Sequence, residues 1–255
     1  MSMLTWILAE SALETVPEAL WRHPAVKHHS TRSGKPPSVL ILDRSYHHAA
    51  MKTLKYGQKR GRPDIVHLSL LEALCSPLNK EGLLKIHVHS FGDQVISVSS
   101  QLRLPRNYNR FIGLMEQLFT LGKVPPSGQP LLVLEKKTLP ELVSSINPSH
   151  VVAFSRIGKP FTLEEAVQEL INEEKPVAII GGFPIGHFTD TTTTLADEII
   201  SIDPEMLEAC IVTSRLIYEY ERAISVPKKR IGLSKAQSPS LSSIEEFSCR
   251  TRLPA

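Results

Sequence analysis

Short apolar runs alternate along this chain with longer segments in which apolar positions recur at helical spacing. The short runs, at residues 4–8, 39–42, 131–134, 151–154, 177–180 and 198–202, predict buried strands. The longer segments predict helices over residues 46–54, from residue 138, over residues 162–171 and over residues 204–222. Strands that alternate with helices favour an α/β fold with a parallel sheet and helices on both faces.

Several stretches break this rhythm. Residues 84–91 and 94–99 flank Gly92-Asp93 and predict a β-hairpin. Pro105 then predicts the start of a helix, because its missing N–H costs nothing at the first helical position. Together these elements predict an insertion into the parallel-sheet domain at about residues 84–125.

Two further segments are harder to assign from their pattern. Residues 65–74 are expected to begin as a strand and to continue as a helix. Residues 23–37 are rich in proline, serine and histidine, and they predict a mobile loop.

Composition narrows the class of protein. The chain has 255 residues with a hydrophobic content of 42%, which suffices for a substantial core in one or two domains. No apolar run has membrane-spanning length and no signal-peptide pattern begins the chain, so we expect a cytoplasmic protein without a membrane partner. Three cysteines without a CxxC pair favour a reducing compartment, and the histidine pairs lack the acids or thiols of a metal site, so we expect no metal.

The net charge of +3 is concentrated at the end of the chain. From Val226 onwards six lysines and arginines face two glutamates, so residues 1–225 are close to neutral. Residues 226–255 are rich in serine and proline and predict a disordered basic tail. A nucleic-acid site in the domain formed by residues 1–225 must therefore be a local basic patch.

Residues 60–67, RGRPDIVH, place an acid between two arginines and an apolar run. The planar guanidinium groups of Arg60 and Arg62 suit phosphate oxygens, which they can bind two at a time. Asp64 can accept a proton or a hydrogen bond from a nucleobase. A surface loop with a local Arg–Asp ion pair explains the octapeptide about equally well.

A second basic segment, RLPRNYNRF, occupies residues 103–111. In the predicted helix, Arg106 and Arg110 lie four positions apart on one face, and Arg103 lies just before it. Tyr108 stands among these arginines. A basic stripe with neighbouring aromatics is typical of a surface that binds looped RNA, although a solvated helix face is the plainer alternative.

Residues 176–188, PVAIIGGFPIGHF, predict a buried strand that ends in a glycine loop at Gly181 and Gly182. Glycine lets a backbone approach a ligand closely, and open α/β sheets bind ligands at the carboxyl ends of their strands. The segment lacks the GK[ST] of a Walker loop and the spacing of a dinucleotide fingerprint. By itself it is explained as well by a tight turn.

These motifs resemble one family when they are taken in order: ILAESALE near the start, ILDRSYHHAAM, RGRPDIVHLSLL, LPRNYNRF and IIGGFPIG. Over about residues 4–220 the chain resembles the small-subunit ribosomal RNA pseudouridine N1-specific methyltransferases, the nucleolar essential protein or Emg family of the SPOUT superfamily. The resemblance implies a SPOUT-type α/β fold with a C-terminal trefoil knot, S-adenosylmethionine as cofactor, and a homodimer. It also implies a hairpin loop of small-subunit ribosomal RNA as partner and a role in ribosome biogenesis.

The resemblance also implies which residues form the site. Asp64 and Arg62 are expected to be catalytic, with Asp64 taking or orienting the proton on ring nitrogen 1. The residues expected to bind RNA are Arg60, Arg62, Arg103, Arg106 and Arg110. Those expected to hold the cofactor are Phe154, Gly181, Gly182, Gly186, Ile202, Asp203, Pro204, Glu205, Met206 and Leu207. In the last helix, the dimer interface is expected to include Ile211, Leu216 and Ile217.

Two other functions would use the same features. A ribosome-assembly protein could bind this RNA through the same arginines without needing Asp64 or an intact cofactor cleft. A SPOUT enzyme for another RNA, such as a transfer RNA, would carry similar basic patches. Such patches bind phosphates and recognise the shape of an RNA, and they depend little on its sequence. The sequence leaves both alternatives open.

Overall fold

In the computed structural model, which describes residues 2–232, the chain forms an eight-stranded mixed sheet. In chain order the strands are β1 (Leu4–Ser11), β2 (Leu84–Ser90), β3 (Gln94–Val98), β4 (Lys123–Val124), β5 (Leu132–Lys136), β6 (His150–Pro160), β7 (Pro176–Gly181) and β8 (Glu198–Ser201). Their order across the sheet is β4-β5-β3-β2-β1-β7-β6-β8. The last five strands in this order, β2, β1, β7, β6 and β8, are parallel to one another. β3 runs antiparallel to both of its neighbours, β2 and β5.

Helices cover both faces of this sheet. Within the described residues they are α1 (Pro24–Ser33), α2 (Arg44–Met51), α3 (Pro63–Cys75), α4 (Pro77–Lys80), α5 (Tyr108–Leu121), α6 (Leu139–Ile146), α7 (Leu163–Ile171), α8 (Asp190–Leu195), α9 (Ala209–Ala223) and α10 (Val226–Arg230). Alternate side chains of β1 enter two different cores. Trp6 and Leu8 pack with α3, α7 and α9, whereas Ile7 and Ala9 pack with α6. Burial on both faces explains why β1 is an almost continuous apolar run.

The α/β fold and most of its elements follow the sequence. The helices after β5 and β6 begin where two Thr-x-x-Glu signals occur. Thr138 and Thr162 each accept a hydrogen bond from the backbone N–H of a glutamate three residues later, and that glutamate bonds back to the threonine N–H. Each pair satisfies two backbone donors that the start of a helix would otherwise leave without a partner.

The prediction of a mobile loop at residues 23–37 is wrong, because residues 24–33 form α1. Pro24 occupies the first turn, where proline is tolerated, and the side chain of His23 caps that turn. Gly34 ends the helix in the left-handed region at φ 66°. α1 packs on α2 around a small core that includes Val26 and Met51.

Two strand predictions in the first third of the chain are also wrong. Residues 39–42 contribute a single bridge, between Thr15 and Ile41, instead of a strand. The segment 65–74 is helical throughout, because Pro63 starts α3 immediately after residues 59–62, which contain three cations and which we call the basic loop.

The β2–β3 hairpin is confirmed, but its setting differs from the prediction. β2 pairs in parallel with β1, and β3 and β5 continue the same sheet, so the sheet is mixed where a parallel one was predicted. The hairpin therefore extends the main sheet.

The end of the domain departs from the sequence prediction in three ways. α9 begins at Ala209, five positions later than predicted, which leaves residues 204–208 as a loop. Leu216 and Ile217 of this helix are buried in the core of their own chain, so their predicted place in a dimer interface is wrong. α10 occupies residues 226–230, where a disordered tail was predicted, and positions 233–255 lie outside the described residues.

Candidate active site

A cavity of about 600 Å³ opens at the carboxyl ends of the parallel strands β6, β7 and β8. Further walls come from the first turns of α3 and α9. The lining residues are 62, 64, 65, 68, 154–156, 180, 181, 183–188, 200–203, 205–210 and 212. Its position and volume are typical of a ligand pocket in an α/β protein.

All three loops that were predicted to hold a cofactor meet at this cavity. Eight of the ten predicted residues line it: Phe154, Gly181, Gly186, Ile202, Asp203, Glu205, Met206 and Leu207. Further lining residues that the sequence did not single out are Ser155, Arg156, Phe183, His187, Glu208 and Cys210. They lie at or after the ends of the predicted strands or at the start of α9, so position relative to the strand ends is the signal that could have found them.

Gly182 does not line the cavity, and neither does Pro204. Instead, Gly182 joins the end of β7 to the end of β1: its N–H donates to the Ala9 carbonyl at 2.8 Å, and its carbonyl accepts from Ala12 N–H at 2.8 Å. A Cβ at this position would lie 2.2 Å from Ser11 Oγ. A larger residue here would separate two central strands.

Asp64 lies on the cavity wall in the first turn of α3. Arg62 Nε donates to Asp64 Oδ1 at 2.8 Å, and Arg62 Nη2 donates to Oδ2 at 2.7 Å, which makes a bidentate ion pair. The hydrogen bonds to Asp64 raise the pKa of Arg62. The two side chains remain 41% and 39% exposed, so the pair is accessible to a ligand.

Arg60 has a different environment from Arg62. Its Nε and Nη2 donate to the two carboxylate oxygens of Glu14 at 2.6 and 2.5 Å. These side chains are only 14% and 10% exposed. The hydrogen bonds with Glu14 raise the pKa of Arg60, and the charge of Arg60 is already balanced inside the protein.

A second buried ion pair holds the glycine loop. Glu10 accepts hydrogen bonds from the backbone N–H and the hydroxyl of Thr189, both at 2.8 Å, and from Lys59 Nζ at 3.3 Å. Lys59 also donates to the carbonyl of His187 and lies 4.4 Å from the ring centroid of Phe183. The basic loop is thereby tied to the loop that closes one side of the cavity.

The second arginine segment is arranged differently from its prediction. α5 begins three residues after Pro105, because the side chain of Asn107 caps it by accepting from the N–H of Arg110 at 3.1 Å. Arg103 and Arg106 therefore lie before the helix, and the prediction that Arg106 shares a helical face with Arg110 is wrong. All three arginines are exposed, and none forms an ion pair within residues 2–232.

A hydrogen bond of 2.6 Å from the Tyr108 hydroxyl to Asp43 joins this segment to α2. The other oxygen of Asp43 caps α2 by accepting from Ser45 N–H at 2.7 Å. Asp43 N–H donates to His47 Nδ1 at 3.1 Å, and His47 Nε2 lies 3.0 Å from His29 Nδ1. Burial lowers the pKa of His47 to about 4, so this connecting network is neutral at its histidines near pH 7.

Within the described part of the chain, no group of three or more His, Cys, Asp and Glu residues could hold a metal ion. One of the histidine pairs, His87 and His89 on β2, has other partners: His87 Nδ1 contacts the hydroxyl of Ser97 at 3.2 Å, and His89 contacts Asp93 at 3.2 Å. In residues 2–232 there is also no helix with the length and apolar character needed to cross a membrane.

Residues 6–221 match the model of one protein family, described as EMG1/NEP1 methyltransferase. Two relatives are named ribosomal RNA small subunit methyltransferase Nep1. The protein from Staphylothermus marinus is 44% identical over 221 residues, which cover 86% of this chain and 96% of the relative. The protein from Pyrococcus furiosus is 46% identical over 215 residues, which cover 84% and 95% of the two chains.

A solved structure extends this similarity to the fold. The crystal structure of Archaeoglobus fulgidus Nep1 bound to S-adenosylhomocysteine superposes with a TM-score of 0.77 at 36% sequence identity. The superposition covers 88% of this chain and 99% of the other. The two proteins therefore share one α/β fold.

Proposed function

The chain belongs to the EMG1/NEP1 methyltransferase family, and from this membership and the cavity we propose that it methylates nitrogen 1 of a pseudouridine in small-subunit ribosomal RNA. It is an S-adenosylmethionine-dependent methyltransferase, since the family match spans most of the chain and the solved relative holds the demethylated cofactor. The target nucleotide is the proposed part. The observation that carries it is Asp64, an accessible carboxylate on the wall of a cofactor-sized cavity.

The cavity residues suit this cofactor. Phe154, Ile202 and Leu207 provide apolar walls of the kind that enclose an adenine ring. Asp203 offers acceptors for ribose hydroxyls, and Arg156 offers a cation for a carboxylate. When bound, the cofactor supplies an electrophilic methyl group on a sulfonium.

The reaction requires that the nitrogen lose a proton as it gains a methyl group. The new N–C bond forms while the C–S bond breaks, with the bonding electrons left on sulfur. We propose that Asp64 accepts the N1 proton and then passes it to solvent, or that it holds the N–H in line while a water molecule takes the proton. Arg62 fixes the carboxylate in one orientation through two hydrogen bonds and offsets its charge, so that an anionic RNA can approach.

We propose that the three exposed arginines before and within α5 bind the RNA. Arg103, Arg106 and Arg110 form no ion pairs within residues 2–232, so they are available to phosphates. A hairpin loop fits this arrangement better than a duplex, because its bases are unstacked and can enter a pocket. Arg60 supports the basic loop through Glu14, and we give it an indirect role.

The proposed substrate is tested with two synthetic hairpins that differ at one loop position, which is pseudouridine in one and uridine in the other. Each is incubated with the protein and labelled S-adenosylmethionine, and the methyl group is located by mass spectrometry. We expect a methyl on nitrogen 1 of the pseudouridine and none on the uridine hairpin. Tight binding of both hairpins without methylation, or preferred methylation of a transfer RNA, would contradict the proposal.

We also propose that the enzyme is a homodimer. Leu68 on α3 and Ile211 and Tyr218 on α9 are exposed apolar side chains on two helices that pack together beside the cavity. Burial of such a patch by a second copy is a common use of surface hydrophobics. Light scattering should give twice the 28.4 kDa chain mass, and Ile211→Lys should shift the protein towards monomer. A wild-type monomer at micromolar concentration would exclude the dimer.

A further inference from the structure

A strongly basic stretch lies before the arginine segment at residues 103–110 and, apart from its last residue Arg62, outside the cavity. Residues 22–62 contain ten lysines and arginines but a single acid, Asp43. The net charge of residues 1–225 hides this excess, because the remainder of that domain is acidic. The stretch includes α1, α2 and the loop that leads to the cavity.

Fewer than half of these cations form ion pairs within the protein. Four of the ten cations are paired with carboxylates, as Lys35–Glu116, Lys59–Glu10, Arg60–Glu14 and Arg62–Asp64. Within residues 2–232 the other six form no ion pair. Asp43 forms no ion pair with any of them, since its two carboxylate oxygens accept from Ser45 and Tyr108, and its single negative charge offsets only a small part of six positive charges. The surface of α1 and α2 therefore keeps a positive charge that attracts a polyanion.

An exposed aromatic ring stands within this charge. Tyr46 on α2 is 42% exposed. Its ring stacks on His29 of α1, with centroids 4.2 Å apart and planes inclined by 23°, so its orientation is fixed. Arg32 Cζ lies 5.3 Å from the centroid of the same ring. An oriented aromatic ring with an arginine is the arrangement on which unpaired nucleobases stack.

This tyrosine belongs to the same face as the candidate active site. The Tyr108 hydroxyl donates to Asp43, the N-cap residue of α2, at 2.6 Å. In the first turn of α2, the N–H of Arg44 donates to the Gly61 carbonyl at 2.9 Å, so the start of α2 lies beside both Tyr108 and the loop that leads to Arg62 on the cavity wall. A nucleic acid strand that leaves the cavity across Tyr108 would next meet Tyr46.

We propose that Tyr46 and Arg32 form a second RNA subsite, which binds the single strand that flanks the target nucleotide. A base of that strand takes the place of Arg32 over the Tyr46 ring, and the freed guanidinium binds the adjoining phosphate. The occupant is unpaired RNA, because a duplex offers no free base face for stacking. The subsite rests on the proposed function only in requiring an RNA substrate.

The test compares two RNAs, a minimal target hairpin and the same hairpin with single-stranded extensions on both sides. Tyr46→Ser should weaken binding of the extended RNA about tenfold, the usual scale for loss of one stacked base. Its affinity for the minimal hairpin and for S-adenosylhomocysteine should stay the same. Tyr46→Phe is the matched control, since it keeps the ring and should bind like wild type.

A second variant tests the charge without altering the ring. Arg32→Ala should reduce the salt slope for the extended RNA by about 0.7, the contribution of one phosphate on a single strand. Lys175→Ala is the charge-matched control, because Lys175 is exposed at the amino end of β7, away from the cavity. It should leave the slope unchanged.

The outcomes separate this subsite from the proposed function. Unchanged affinity of Tyr46→Ser for the extended RNA would overturn the subsite. Equal losses of affinity in Tyr46→Ser and Tyr46→Phe would also overturn it, because they would show that the hydroxyl, and not stacking on the ring, binds the RNA. If the wild type bound the extended RNA more tightly but methylated neither RNA, the subsite would stand and the proposed reaction would fail.

Discussion

The two arginine segments contain the same residue type but use its charge in opposite ways. In the basic loop, Lys59, Arg60 and Arg62 each form an ion pair with a carboxylate of the fold. In the segment at residues 103–110, the three arginines are exposed and form no ion pair within the described residues. A count of arginines in a motif is therefore a poor measure of the charge available to a ligand.

The difference follows from burial. Lys59 and Arg60 are mostly buried, so each needs a carboxylate to offset the loss of water around it. Such pairs hold a loop in one position, which is useful beside a cavity where geometry decides rate. Exposed arginines can follow a flexible backbone of phosphates at little cost, and this suits the outer part of an RNA site.

The largest effect should come from breaking a buried pair of the first segment. Arg60→Met leaves the Glu14 carboxylate buried without its partner, and we expect the free energy of unfolding to fall by about 3–5 kcal/mol. Urea denaturation measures this. The double variant Glu14→Gln, Arg60→Met should recover most of the loss. A fall of less than about 1 kcal/mol would mean that Arg60 behaves like a surface residue and that the contrast between the segments is false.

The accessible pair of the same loop should affect rate instead of stability. Asp64→Asn keeps the shape of the side chain but removes its basicity, so methylation should fall by roughly a hundredfold if the carboxylate takes or orients the proton. Affinity for S-adenosylhomocysteine should not change, and affinity for the hairpin should hold or rise slightly because a negative charge near phosphates is lost. Single-turnover kinetics provide the measurement. A near wild-type rate would reduce Asp64 to a structural partner of Arg62.

Sequence could predict the parts of this molecule that depend on local chemistry. The apolar runs identified seven of the eight strands within the described residues, all except the two-residue β4, and the helices predicted from residue 138 and over residues 162–171 are α6 and α7. The order of the family motifs indicated the cavity loops. Eight of ten predicted cofactor residues then proved to line one cavity.

Most errors arose where the structure depends on contacts between residues that are far apart in the sequence. Nothing near Arg60 in the chain reveals Glu14, its partner from 46 positions earlier. Gly182 faces Ser11 across two strands, so its role in packing was not visible in the glycine loop itself. α1 was missed for a different reason: Pro24 and Gly34 are recognisable start and stop signals, but the polar composition between them masked the helix.

The smallest expected effect concerns the second segment and leaves the fold intact. Arg106→Ala with Arg110→Ala removes two exposed cations that no carboxylate offsets, so stability should change by less than about 0.5 kcal/mol. Binding of the target hairpin should weaken, and its salt slope should fall by about 1.4, which is the release of counterions from two phosphates of a single strand. Cofactor affinity should stay the same, because neither arginine lines the cavity.

Fluorescence anisotropy across a salt series measures the slope. Lys85→Ala with Lys175→Ala is the control, since it removes equal charge at the amino ends of β2 and β7. A wild-type slope in the arginine variant would show that Arg106 and Arg110 do not bind the RNA, although they are exposed and unpaired. The difference in ion pairing between the two segments would then not reflect a difference in RNA binding.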